Sequence, residues 1–129
     1  MVQKLAWGFG IVLTLVGILG FVPGVTSADG LLLGIFQVDA LHNVVHLLTG
    51  VLAIVAALGA GTYSRLFFQV FGVVYALVTI VGFVQGNTVL GLFPVNMADN
   101  VLHILITVFA LWAGFMVKDG SGMRSADAM

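Results

Sequence analysis

Two short runs hold nearly all the side chains able to do chemistry. His42 and His46 stand four residues apart, as do Asp99 and His103, so each pair shares one face of a helix. Three imidazoles and a carboxylate suit zinc, iron or copper, and facing helices of a bundle can assemble such a set. A second use is axial ligation of a haem between His46 and His103. A third is a path for protons or a small solute through His, Asp and bound water. The plain alternative is structural: neutral imidazoles bonded to a backbone carbonyl or to Thr14, Tyr75 or Thr79, acting as polar glue between helices.

The neighbours of these residues extend each run into a stripe. Asp39, His42, Asn43, His46, Gly50, Ala53 and Ala57 step by three or four, and so do Asn96, Asp99, Asn100, His103, Thr107, Ala110 and Gly114. Polar groups in lipid turn inward, so both stripes are expected to face a bundle interior. Asp39 and Asn96 fit helix N-caps, with Asp99 placed to complete a capping box. Asn43 and Asn100 are read as interior hydrogen-bonding groups between helices. His46 and His103 each lie seven residues past their cap, about 10 Å along the helix.

The elements that must position these stripes follow from composition. The 129 residues are 61% hydrophobic and 7% charged, with a mean hydropathy of +1.23. A soluble domain carries about 25% charge, so most of this surface needs lipid rather than water. Four segments, 5–22, 40–58, 66–84 and 97–117, approach the roughly 20 apolar residues that cross a bilayer. The first has some features of a signal peptide, but it runs longer than a signal h-region and is read as a retained helix. Lys4, Arg65, Lys118 and Arg124 all fall on one side of such a bundle, with none in the other two loops. The positive-inside rule therefore places both termini in the cytoplasm, and Trp7, Tyr63 and Trp112 fall near that same face. The net charge of −1 argues against nucleic acid, which requires a basic patch. The absence of cysteine removes disulfides, thiolate catalysis, iron–sulfur clusters and covalently attached haem.

Comparing the chain with itself exposes a duplication. Residues 9–26, FGIVLTLVGILGFVPGVT, align with residues 71–88, FGVVYALVTIVGFVQGNT, at eleven identities in eighteen. GIFQVDALHNVVHLLTGVLA (34–53) aligns with GLFPVNMADNVLHILITVFA (91–110), matching Asn43 to Asn100 and His46 to His103. The shift from 62 to 57 gives the first loop five extra residues. Two like-oriented hairpins imply a pseudo-twofold axis along the membrane normal. Gly10, Thr14 and Gly17 form a small-residue face on helix 1, matched by Gly72, Ala76 and Thr79 on helix 3, and the glycines are read as helix-packing positions.

The loops DGLLLGIFQV and NTVLGLFPV are too apolar for solvated turns. They are expected to lie in the interface or to fold over the outer mouth, anchored by Phe36 and Phe93. No phosphate loop, GxSxG, paired Glu or HExxH is present, so no catalytic residue is assigned.

The run GLFPVNMADNVLH, with its earlier echo GIFQVDALHNVVH, resembles a family of small four-helix bacterial membrane proteins known as domain of unknown function 4383. The resemblance covers most of the chain and implies a bacterial inner-membrane protein of this topology, without a reaction, substrate or cofactor. The two motifs differ at His42 against Asp99 and at Gln37 against Pro94.

The expected fold is an all-α membrane protein: a four-transmembrane-helix bundle of two tandem helical hairpins related by a pseudo-twofold axis. It forms a single domain over 1–118, with repeats at 4–60 and 64–118 and a short disordered cytoplasmic tail at 119–129. The first-ranked function is a non-enzymatic structural or accessory protein of the inner membrane, a small subunit of a larger complex or a homo-oligomer, without cofactor. The alternative is a metal- or haem-binding protein using His42, His46, Asp99 and His103, followed by a proton or small-solute transporter. The expected partners are the lipid bilayer and another protein chain, and no nucleic acid.

Overall fold

A computed structural model describes residues 1–118; the tail expected over 119–129 lies outside the described residues. Four helices dominate: α1 (Val2–Leu19), α2 (Ala40–Leu58), α3 (Gly61–Gln85) and α4 (Met97–Leu111). The last continues into a π-helical turn, Trp112–Met116. All four are long and apolar enough to cross a membrane. Their outward faces are apolar, as at Leu15, Val55, Leu77 and Leu105, and their inward faces carry small, aromatic and polar side chains.

Local chemistry explains where the boundaries depart from the hydropathy reading. α1 starts earlier than expected and stops at Gly20, after which Phe21 and Val22 bond three residues back instead of four. Pro23 follows, and its missing N–H cannot extend the helix. α3 takes in Tyr63, Ser64 and Arg65, which hydropathy assigns to the connection. Ser64 donates to the Ala56 carbonyl at 3.3 Å and Arg65 Nη1 to the Gly114 carbonyl at 3.2 Å. Gln69 Nε2 also donates to that Gly114 carbonyl at 2.9 Å. At the same end Gln3 Nε2 donates to the Ala57 and Gly59 carbonyls, 2.7 and 2.6 Å, and so caps α2.

The two apolar loops form short antiparallel ribbons, which the all-α reading does not include. β1 (Leu31–Leu32) pairs with β2 (Phe36–Gln37), and β3 (Thr88–Val89) with β4 (Phe93–Pro94). Each turns through a Leu-Gly pair with positive φ at both residues: 56° and 73° at Leu33-Gly34, 55° and 69° at Leu90-Gly91. Such pairs match the twist of hairpin strands. The two turns thus adopt the same local geometry. The two ribbons fold onto one end of the bundle. There Phe93 packs against Val78 and Val81, while Phe36 is half-buried.

Within each hairpin the helices approach closely at small residues. A Cβ on Gly10 would meet Ile54 Cγ1 at 2.7 Å and the Gly50 carbonyl at 2.8 Å. Gly17 lies equally close to Leu47, and Gly72 to Leu111. The hydrogen-bonded hydroxyls of Thr79 and Thr107, 3.2 Å apart, occupy positions equivalent to Gly17 and Gly50. Between hairpins, Phe9 packs edge-on to Phe67 and Phe68 and parallel to Phe109. Alanines 53, 57, 110 and 113 complete this cluster. Below the ribbons the core changes from carbon to nitrogen and oxygen.

Candidate functional site

The polar layer begins with the helix caps. The Asp39 carboxylate accepts from His42 N at 2.8 Å. Asn96 Oδ1 accepts from Asp99 N at 2.9 Å, and Asn96 N donates to Asp99 Oδ2 at 2.9 Å, which makes a capping box. Asn96 also donates to the Ile35 carbonyl at 2.8 Å and so ties the second hairpin to the ribbon of the first. These contacts fix the first turns of α2 and α4, and with them the depth of every polar group below.

One turn further in, His42, His46 and His103 converge. All three are buried, at 1%, 3% and 2% exposure. Ring centroids lie 4.5 Å apart for His42–His46, 5.9 Å for His42–His103 and 6.2 Å for His46–His103. Phe93 packs on His42 at 4.7 Å and Tyr75 on His103 at 6.0 Å. One nitrogen from each imidazole lies within 4.8 Å of the other two. A point central to three such atoms is at most about 2.8 Å from each, against about 2.0–2.1 Å for a zinc–imidazole bond. Small side-chain rotations close that difference.

Five of the six imidazole nitrogens are buried and without a hydrogen-bond partner among the described residues. The structural alternative needed a backbone carbonyl, Thr14, Tyr75 or Thr79 as a partner. Thr79 instead donates to the Tyr75 carbonyl at 2.6 Å and meets Thr107. Thr14 Oγ1 and the Tyr75 hydroxyl bond to no histidine; the latter sits beside Thr49 without a hydrogen bond of good geometry. The carbonyls of Gln37 and Pro94, equivalent positions in the two copies, lie beside the His42 ring outside hydrogen-bond geometry. Leaving a buried polar atom unmatched costs about 1–3 kcal/mol, so this cluster is an expensive place for idle imidazoles.

Asp99 is buried at 1% exposure, yet it is not one of the three converging side chains. Its Oδ2 belongs to the capping box. It borders a separate cavity of about 70 Å³ together with His46, which places it behind that ring. Asp39 caps α2, three residues before His42 on that same helix. Asn100 donates to the Gly82 carbonyl at 3.3 Å. Asn43 packs against Gly20, and the Oδ1 atoms of both asparagines have no hydrogen-bond partner among the described residues.

A cavity of about 190 Å³ opens beside the histidines, walled by α2, α3 and Phe93. Its walls include Thr49, Phe71 and Tyr75, none of which the spacing of the polar runs singles out as a ligand-contacting position. The only cue is that Tyr75 replaces the Leu13 of the first copy. A lone Tyr on an apolar helix carries no periodic pattern with it.

No curated protein and no solved structure matches the chain. A family model does match, over residues 3–116, which takes in both hairpins and every residue of the cluster. By that match the chain belongs to the family described as Domain of unknown function (DUF4383).

Proposed function

We propose that this chain is a multi-pass protein of the bacterial inner membrane that binds a transition-metal ion through His42, His46 and His103. The observation that carries this reading is the convergence of three buried imidazoles, five of whose six nitrogens have no hydrogen-bond partner among the described residues. Neutral imidazole suits zinc, copper, iron and nickel. Three protein ligands leave a fourth position open, as in zinc sites that exchange water or substrate. Asp39 and Asp99 flank the cluster from the two helices and offset part of the ion's charge without ligating it. A cavity of about 190 Å³ is on the scale of one that holds a benzene ring, so the space favours an ion over a porphyrin.

In this reading the two hairpins are related by a pseudo-twofold axis along the membrane normal, with both termini in the cytoplasm. The histidines then sit in the outer half of the bilayer. The accessory-subunit reading drew on the chain's small size and its glycine-lined faces. Gly10, Gly17 and Gly72 are covered inside the hairpins by Ile54, Leu47 and Leu111, and so they lend that reading no support.

Titration of the detergent-solubilised full chain with cobalt(II) tests the proposal. The expected result is saturable binding of one ion with the visible absorption of a nitrogen-ligated centre. That signal is lost in His42→Gln, His46→Gln and His103→Gln and kept in Asp99→Asn. Absent binding in the folded wild-type chain, or equal binding by all four variants, would refute it.

A further inference from the structure

The cavity beside the histidines has a wall chemistry that metal binding does not explain. Of its twelve lining side chains, six are rings: His42, His46, Phe71, Tyr75, Phe93 and His103. The remainder are aliphatic apart from Thr49, and none is Lys, Arg, Asp or Glu. Flat faces favour a flat guest, and a volume near 190 Å³ exceeds the ~150 Å³ that accommodates benzene. A carboxylate or phosphate head would find no cationic side chain in these walls. An uncharged head with acceptor oxygens would find donors, because the Tyr75 hydroxyl and five of the six imidazole nitrogens are buried and without hydrogen-bond partners among the described residues.

The cavity also has a neighbouring space. A groove of about 510 Å³ shares Leu52 and Phe71 with it and follows the seam between α2 and α3 as far as Gly59 and Tyr63. From His46 to Gly59 that seam runs about 20 Å at the helical rise, along carbon-rich walls. Leu48 and Val74 line the cavity while 56% and 42% exposed. The opening therefore faces sideways between helices, where the proposed bilayer would lie.

We propose that the cavity and groove together bind a lipid-soluble quinone, its ring among the imidazoles, Tyr75 and Phe93 and its tail along the α2–α3 seam. A quinone carbonyl accepts from the Tyr75 hydroxyl or an imidazole N–H, and the ring stacks on its aromatic neighbours. The inference shares the three histidines with the metal reading but does not need the ion. A neutral imidazole offers one N–H and one lone pair, so a carbonyl oxygen can accept the first or complete an ion held by the second. The assignment is of binding, and no electron transfer is included in it.

The test is the unfolding temperature of the full chain in detergent micelles as a decyl-tailed benzoquinone is added, once with chelator and once with zinc. Oleate serves as the anionic comparison. The expected result is a saturable rise with the quinone and none with oleate, seen with chelator present. Tyr75→Phe, which keeps the ring and removes one donor, raises the half-saturating quinone level roughly five- to tenfold. Val78→Trp, which fills the cavity, abolishes the saturable rise; should that variant misfold, Tyr75→Phe carries the test alone. A rise that never saturates and is unchanged in Tyr75→Phe, or an equal rise with oleate, would overturn the proposal. Because the chelated sample holds no ion, failure here is distinct from failure of the metal site.

Discussion

Replacing Gly50 by alanine adds one methyl group at the crossing of α1 and α2, and the surroundings fix its consequence. The new Cβ would meet Thr14 N and Thr14 Oγ1 at 2.5 Å and the Gly10 carbonyl at 2.8 Å. Two of those three atoms are backbone and cannot swing aside, so α1 must move outward. Overpacking of this kind costs about 1–3 kcal/mol, while alanine regains about 0.5–1 kcal/mol of helix propensity. The net expectation is a loss of ~1–2 kcal/mol. Gly8 supplies the control, because a Cβ there meets nothing within 4 Å and only the propensity gain of about 0.5–1 kcal/mol remains. Reversible unfolding in mixed micelles, followed by circular dichroism, should therefore give opposite signs for Gly50→Ala and Gly8→Ala. A Gly50→Ala protein as stable as wild type would mean that the two helices do not cross in backbone contact, and the packing account would be wrong.

Asn96→Ala should cost more than Asp39→Ala in the same assay. Asn96 loses both its cap to Asp99 N and its bridge to the Ile35 carbonyl, together about 1–2 kcal/mol, against about 1 kcal/mol for the single cap at Asp39. Leu90→Gly should stabilise the chain by up to about 1 kcal/mol, since Leu90 holds φ at 55° with its side chain 65% exposed and leucine in that region is strained. A destabilised Leu90→Gly would show that the exposed side chain makes contacts worth more than the strain. Because the chain has no cysteine, Ala28→Cys and Thr62→Cys give clean reporters of sidedness. A membrane-impermeant maleimide added to intact cells should label the first and not the second, and the reverse pattern would invert the proposed orientation.

Much of this architecture is legible in the sequence because lipid-compatible helices announce themselves by length and composition. The residues 40–58 reading of α2 matches the observed helix, since Asp39 caps its start and Gly59 ends it. The starts of α1 and α3 were less legible: Gln3, Ser64 and Arg65 are polar, yet each is held by a carbonyl of another element. A polar side chain with a distant partner leaves no local pattern. The ribbons were hidden for a related reason, as two-residue strands are too short to show alternation and their turns use Leu where Asn or Asp is customary. The histidine cluster was legible from spacing, because four-residue steps set His42 and His46, and Asp99 and His103, on single helix faces that turn inward. The same spacing included Asp99 as a ligand. In the fold its Oδ2 accepts from the Asn96 backbone N–H, so the capping box, also legible in the spacing, takes the carboxylate; periodicity does not distinguish these two local uses. The groove between α2 and α3 was illegible, since it arises from how two apolar faces fail to meet.

Elemental analysis of the full chain, purified gently and without chelator, tests the central claim most directly when done beside the His46→Ala/His103→Ala double variant. The account predicts one equivalent of zinc, copper, iron or nickel in the first and none in the second, with matching circular dichroism spectra. A folded wild-type chain that carries no metal and takes up none when it is added would contradict the account. So would a double variant that keeps the ion.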